Sequence, residues 1–573
     1  MKNKVYLIVF IIAIIIVSIL KQLLAYDLPI AANVGLAVDD MLMINMTDSI
    51  VNGKWIGGYN EVILSKGPTF PLILVAIYYL KIDYITMMTV LYTLSCLCLI
   101  HVLSKRIKNK FLIFVIYLFT IFTPIMYCYQ VMQRVYRNAI IPSLAIFIIS
   151  GYLYLFFTRN DENKTKWRLF ASICTGLALA LFWYTREDSI WMLPFIIFMS
   201  VMLILAVIIK NKKINKEFFY TLLILIIPLI MVFAYKNIIC YQNYKHFGVY
   251  TVYNNEYYNK AMDSLRKVKK YDYYDNIDFP TAKLKKVAEV TCLKNIYGSL
   301  EGLVYGYSLF DSGPLDGEVV NGWFPWAFRG ALLQNGYYAN AQETNNFFNT
   351  LHVQIEEALE NGTLEREDEK KDIKTSIDKL FYEVGRTFKA LYAYDDIAIR
   401  NEKIDYYQND VEGYKKYAKY TKNKFFIYNK ETNEDVYYLD NMENYQENIT
   451  PKINFINDMI NLYKTISGPM FSVGVALYVL LTVLTIVNMF KKKYEILEIW
   501  IAMSGILGAF LTLVFGIAYE TAFNAYVITA MYLSAAYPLM IIFGTSMIGY
   551  FIIKVTGLFK NRKKARIEVK AEN

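Results

Sequence analysis

The sequence predicts a polytopic α-helical membrane protein of about ten spans, with a mainly helical soluble domain inserted after the seventh. Three observations point there. Of 573 residues, 56% are hydrophobic and only 19% are charged. The apolar residues gather into runs long enough to cross roughly 30 Å of hydrocarbon, rather than recurring at the period of a half-buried helix or strand. The basic residues fall in short loops between those runs, in a pattern that a single membrane orientation explains.

In chain order the spans lie near 5–24, 84–104, 111–128, 138–157, 169–185, 189–209, 218–239, 467–490, 497–518 and 526–556. The first has too long an apolar run for a signal peptide, and no small-residue cleavage pattern follows it, so it reads as an uncleaved span. The last carries Pro538 and is expected to kink or break there. The segment PTFPLILVAIYYL (68–80) is apolar but too short to cross. If it does not cross, the basic loops 105–110, 159–168, 210–217 and 491–493 and the tail 559–570 all lie on the side of Lys2 and Lys4, the cytoplasmic side. If it crosses, every later basic loop lies outside. It is therefore expected at the outer interface of the plasma membrane, with both termini cytoplasmic.

This topology accounts for the net charge of +10 without a nucleic-acid partner. The three His stand in no ligand spacing, which argues against a His-ligated metal or a His-based triad. Cys96, Cys98, Cys128 and Cys174 lie in apolar runs, while Cys240 and Cys292 are candidates to meet outside the membrane. No internal repeat is evident, and the chain does not divide into two similar halves as many transporters do.

The chain thus divides into a membrane module at 1–240 with a first external loop at 25–83, an external domain at 241–465, and C-terminal spans with a basic tail at 466–573. The external stretch is charged, rich in Tyr and Asn, and long enough to hold its own core. Ala261, Leu265 and Val268 share a helical face, as do Phe347, Phe348, Leu351, Ile355 and Leu359, with Gly362 a stop for the second helix. Residues 366–392 read as a further helix. Its aromatic residues admit two readings, internal packing or contact with sugar faces.

Four motifs at the external ends of the spans carry possible chemistry, and each has a plain alternative. Asp39 and Asp40 are solvated loop residues, or a pair whose proximity and desolvation raise a carboxylate toward general-base work. Lys66, in YNEVILSKGPTFPL (59–72), is a snorkelling residue at a turn, or a cation where a lipid phosphate would sit. Arg134 and Arg137, in QRVYRN (133–138), share a face if that stretch is helical; they stand on the side otherwise poor in basic residues, and phosphate binding gives a reason. Arg186, Glu187 and Asp188 form a capped turn, with Asp188 heading the next helix, or the charged wall of a cavity.

The order of these motifs resembles the GT-C superfamily of glycosyltransferases, which includes the protein O-mannosyltransferases and the aminoarabinose transferases. VDDMLM (38–43) looks like their paired acid in the first external loop. SKGPTFPL (65–72) is similar to the Lys-Pro-Pro turn of the aminoarabinose transferases, with Gly67 in place of the first Pro. The resemblance covers roughly residues 1–240, and 466–573 match only as additional spans. An insertion after the seventh span is also found in the O-mannosyltransferases, where it is a β-trefoil; here it reads helical.

The resemblance implies an inverting enzyme that takes a sugar from a polyprenyl-phosphate carrier in the bilayer and gives it to a hydroxyl of a glycan, lipid or protein at the outer face. It implies Asp39, with Asp40 behind it, as the base; Lys66, Arg134, Arg137 and Arg186 on the donor phosphate; and Glu61, Glu187 and Asp188 on the acceptor side. No metal is indicated, although the superfamily has metal-dependent members. Three other readings compete. A glycan polymerase or ligase of another fold needs no acid in the first loop. A transporter or flippase of lipid-linked sugars would want charges at mid-membrane depth and a two-fold repeat. A receptor or scaffold would leave 36–68 unconstrained.

Overall fold

The computed structural model is that of a polytopic helical membrane protein. It describes residues 2–572 apart from 213, 272–278, 310–321, 368–372, 401–403, 406–410, 426, 430–433, 437–444, 493, 495, 524–526 and 528; Lys493 of the basic loop 491–493 is therefore outside the described residues. The helices of the first half are α1 (Lys2–Ala25), α2 (Asp40–Val51), α3 (Thr69–Leu80), α4 (Tyr84–Leu103), α5 (Lys110–Ile121), α6 (Ile141–Phe157), α7 (Thr165–Thr185), α8 (Leu193–Asn211) and α9 (Lys216–Phe247). The insertion supplies α10 (Glu256–Lys267), α11 (Thr281–Val290), α12 (Tyr297–Ser308), α13 (Phe324–Gln334), α14 (Ala341–Glu360), α15 (Ile373–Ala393) and α16 (Val411–Thr421). The chain closes with α17 (Tyr445–Phe490), α18 (Leu497–Phe523), α19 (Thr529–Tyr532) and α20 (Ala536–Glu572). Three strands of two or three residues, β1 (Ile404–Asp405), β2 (Ile427–Asn429) and β3 (Glu434–Val436), form a small sheet in that order.

Among the described residues nine helices are long and apolar enough to cross a membrane, and Lys110–Ile121 with Pro124–Gln133, bent by 50°, makes up to ten. Every predicted span has its helix. The bend falls where Pro124, with no N–H to donate, ends the helix before it. Residues 129–133 then turn in a wide π-helical coil. α9 and α17 run well beyond their apolar stretches because polar residues at their ends continue the same helix. The last span, predicted over 526–556, is broken rather than kinked: α19 ends at Tyr532 and α20 begins at Ala536, with Pro538 in its first turn, where a missing N–H costs nothing; 526 and 528 lie outside the described residues. α3 is a short apolar helix packed on α2 and α16 rather than a span.

Small residues let the helices approach closely, as membrane packing requires. A Cβ on Gly474 of α17 would stand 2.9 Å from Gly544 Cα of α20, and one on Gly151 of α6 would stand 1.9 Å from Thr175 Oγ1 of α7. Pro228 inside α9 cannot donate to the carbonyl of Ile224, and Ser172 of α7 does so instead, at 2.5 Å. One interhelical contact thus repairs the gap in the α9 ladder.

The insertion divides in two. Its first part packs around its own core of Leu265, Leu284, Leu300, Phe328, Phe348 and Leu351. Its later part joins the core of the membrane module through Leu391, Tyr394, Tyr414 and Tyr417, with Phe388 of α15 ringed against Phe510 of α18 at 6.1 Å. The stripes predicted for α10 and α14 are buried. Asn340 caps α14 by accepting from Glu343 N, and Gly362 follows the helix at φ +77°, a conformation that favours glycine. Cys240 and Cys292 are not joined: all six Cys are free. Cys240 packs beside Tyr184 and Val252, while Cys292 lies against the insertion's own core.

Candidate functional site

The site is built where the first loop meets the bend after α5. Ala31 N donates to Gln133 O at 2.9 Å. The Gln133 side chain donates to Pro29 O at 3.0 Å and to Arg400 O at 2.7 Å. Tyr84 Oη donates to Arg134 O at 2.9 Å. These bonds pin the backbone of Arg134 beneath the start of α2.

The paired acids then take different roles. Asp40 is wholly buried, accepting from Arg134 Nε at 3.0 and 3.1 Å and from Asn33 Nδ2 at 2.8 Å. Asp39 occupies the N-cap position of α2, yet its carboxylate caps no backbone N–H. It is ion-paired to Lys66, accepts from Tyr136 Oη at 3.0 Å, and lies 3.6 Å from Arg134 Nη2. Its side chain keeps 32% of its surface exposed, against none for Asp40. Burial raises the Asp40 carboxyl above its ordinary value, outweighing Arg134 and Asn33. Asp39 goes the other way from the raised value expected of a carboxylate pair. Burial would raise it, but Lys66, Arg134 and Tyr136 together hold it below the ordinary value. Lys66 is itself lowered, by burial first and then by the like charge of Arg137, against the pull of Asp39.

Arg134 and Arg137 do not share a helical face. Arg134 is extended between a π-turn and a 3-10 turn, so the two guanidinium groups converge on Tyr136 instead, at 5.2 and 5.4 Å from its ring. Arg137 donates to Tyr136 Oη at 3.1 Å and to Glu187 at 2.7 Å. Burial would raise the Glu187 carboxyl, but Arg137 holds it below its ordinary value. Arg186 donates to Asn138 Oδ1 at 2.9 Å and to Asp188 at 2.8 Å, and lies 4.6 Å from the ring of Tyr532. Asp188 therefore spends its carboxylate on Arg186 and makes no capping bond to the next helix.

Lys66, Asp39, Asp40, Arg134, Arg137 and Glu187 thus form one connected network, with Arg186 and Asp188 beside it through Asn138. Glu61 stands to one side, its carbonyl accepting from Arg329 of the insertion at 3.2 Å. Among the described residues two buried donors in the network, Arg134 Nη2 and Asn138 Nδ2, find no hydrogen-bond partner. A crevice of about 620 Å³ opens beside it, with Glu187, Asp188 and Tyr532 at its polar end and Trp191, Leu513 and Ile517 along its walls. Among the described residues no three His, Cys, Asp or Glu gather as a metal site.

Sequence reasoning missed Tyr136, Asn33, Asn138 and Tyr532. Tyr136 had a signal, standing between the two arginines of the quoted motif. Tyr532 had none, since it arrives from α19 at the far end of the chain.

No family model matches this chain, and no curated protein matches it. Among solved structures it is similar to ArnT from Cupriavidus metallidurans in the apo state, at 9% identity and a TM-score of 0.29, and bound to undecaprenyl phosphate, at 8% identity and a TM-score of 0.30. Each comparison covers 91% of this chain and 78% of that one.

Proposed function

We propose that this protein is an inverting glycosyltransferase of the GT-C type. It takes a sugar from a polyprenyl-phosphate carrier at the outer face of the plasma membrane and transfers it to a hydroxyl of a glycan, lipid or protein acceptor. One observation carries the reading: an accessible, ionised carboxylate, Asp39, is linked to Lys66 and lies beside Arg134 and Arg137 at one end of a membrane helix bundle. A base and a set of cations in one place are what displacement of a lipid phosphate needs.

In this reading the phosphate enters the cation network and Lys66 exchanges Asp39 for a phosphate oxygen. Arg137 and Arg186 stand behind it, and Arg134 Nη2 and Asn138 Nδ2, which find no hydrogen-bond partner among the described residues, are donors ready for further oxygens. Asp39, released from Lys66, takes the proton of the acceptor hydroxyl. The acceptor oxygen forms its bond to C1 as the C1–O bond to phosphate breaks, and the electron pair leaves with the lipid phosphate. Attack from the side opposite the phosphate inverts C1. Asp40 holds Arg134 in place. The crevice flanked by Glu187 and Asp188 offers a way between the network and the apolar layer. Side-chain cations meet the phosphate charge, and no metal is assigned a role.

The test follows loss of label from a radiolabelled undecaprenyl-phosphate hexose in nanodiscs, for wild type and Asp39→Asn. Loss in the wild type alone supports the reading. Equal loss in both removes Asp39 from the chemistry, and no loss with any donor or acceptor mixture removes the activity.

A further inference from the structure

The inserted stretch reaches the network. α13 is tied to the first loop by Arg329, which donates to Glu61 O at 3.2 Å and to Asn255 Oδ1 at 2.8 Å, and Asn254 N donates to Leu64 O at 2.9 Å. Its neighbours Ala327 and Phe328 are fully buried in the insertion's core. Trp326 is not consumed by that core. It is only half-buried, and its ring lies 5.8 Å from Lys66 Nζ. Lys66 is in turn ion-paired to Asp39. The indole, the cation and the carboxylate therefore stand side by side, and the indole comes from a different part of the chain.

We propose that Trp326 is the platform on which the sugar of the lipid-linked donor lies, so that the insertion completes the sugar subsite. This rests on the proposed function and extends it to the sugar. In a lipid-phosphate sugar, C1 is bonded directly to a phosphate oxygen. A sugar whose phosphate sits on Lys66 must then occupy the space within one ring's width of that cation. The C–H face of a pyranose is apolar and slightly positive, and it packs on the electron-rich face of an indole through the same quadrupole that attracts Lys66. Its hydroxyls are left for the polar groups of the network. Because α13 is anchored through Arg329, the platform is held before the donor arrives, which lowers the ordering cost of binding. A bare lipid phosphate does not reach it.

The experiment measures binding of undecaprenyl phosphate and of undecaprenyl-phospho-glucose, -mannose and -galactose to the full-length protein in nanodiscs, for wild type, Trp326→Ala and Trp326→Phe. The wild type is expected to bind at least one sugar lipid more tightly than the bare phosphate. Trp326→Ala should lose about three- to tenfold in affinity for that lipid. Its affinity for undecaprenyl phosphate should be unchanged, and Trp326→Phe should restore most of the loss. Equal weakening of both lipids in Trp326→Ala, no weakening of either, or no preference for a sugar lipid in the wild type overturns the proposal. Binding of none of the four lipids by the wild type overturns the donor reading itself, and is distinct from those results.

Discussion

Arg134 donates through Nε to both carboxylate oxygens of Asp40, at 3.0 and 3.1 Å, and both side chains are buried. The pair holds the start of α2 onto the bend after α5, and it sets Asp39 beside Tyr136. Breaking such a pair leaves a charge in a place with no water to solvate it.

We expect Asp40→Ala to cost about 3–5 kcal/mol of stability, because buried Arg134 loses both of its hydrogen bonds to a carboxylate and, of its carboxylate contacts, keeps only the one with Asp39 at 3.6 Å. Asp39→Asn, on a partly open side chain, should cost less stability than Asp40→Ala while lowering turnover by about 10²–10⁴-fold. Thermal unfolding in detergent beside label release separates the two. Equal losses of stability would mean that both acids are structural.

The directions of the shifts give a pH profile. Asp39 is held below the usual carboxylate value, near 3.9, so turnover should show no acid limb from Asp39 between about pH 8 and 5. Its contribution to stability is present above the unfolded-state value and is lost as pH falls through the lowered folded-state one. Lys66→Met removes a counter-charge and should move the acid limb upward. Lys66 is lowered, so donor binding should be lost at an alkaline pH below that of a free lysine. In Asp39→Asn that alkaline limb should move lower still. An unmoved acid limb in Lys66→Met would sink the assignment of Asp39 as base.

The turn at Gly67 has little room for a side chain. A Cβ there would stand 3.0 Å from the carbonyl oxygen of Tyr184 and 3.0 Å from the ring of Tyr253. The backbone oxygen cannot swing away, so Gly67→Ala must displace the turn that carries Lys66. The expected cost is about 1–3 kcal/mol, with weaker donor binding. Wild-type binding and stability in Gly67→Ala would show that the turn has room to yield.

Lys21 of α1 is fully buried, its Nζ 3.3 Å from the centroid of the Tyr127 ring and, among the described residues, without a hydrogen-bond partner. Met matches its length and carries no charge. A buried amine without a hydrogen-bond partner carries a desolvation penalty of about 1–3 kcal/mol, which an apolar residue of similar shape does not. Lys21→Met should therefore unfold at a higher temperature than wild type. A lower one would show that the contact with Tyr127 outweighs the cost of burial.

The helices were legible because lipid imposes a simple rule on each segment separately. A run such as 189–209 must bury its backbone polar groups in its own hydrogen bonds and present apolar side chains, and both properties are local. The same holds for α14, whose stripe and stop at Gly362 are written within some twenty residues. The residues of the network were found singly, as a paired acid in the first loop, a Lys at a turn, two Arg on a side expected to be poor in basic residues and a charged turn between spans, which are again local signals.

Their partnerships were not legible. That Asp40 is buried under Arg134 while Asp39 stays open depends on a bend at Pro124 and on Gln133 reaching Pro29 and Arg400, contacts between parts of the chain far apart in sequence. The opposite pKa directions of two adjacent aspartates follow from the full burial of Asp40 and from the Lys66, Arg134 and Tyr136 partners of Asp39, and not from their sequence. The arrival of Tyr532 beside Arg186 and of Trp326 beside Lys66 belongs to the same class. By itself the sequence determined the membrane class, the spans, the helical insertion and the charged residues gathered at the span ends. Only the tertiary structure decided which acid is open, which cation holds it and which aromatic rings enclose them, because those depend on distances between segments that no local pattern encodes.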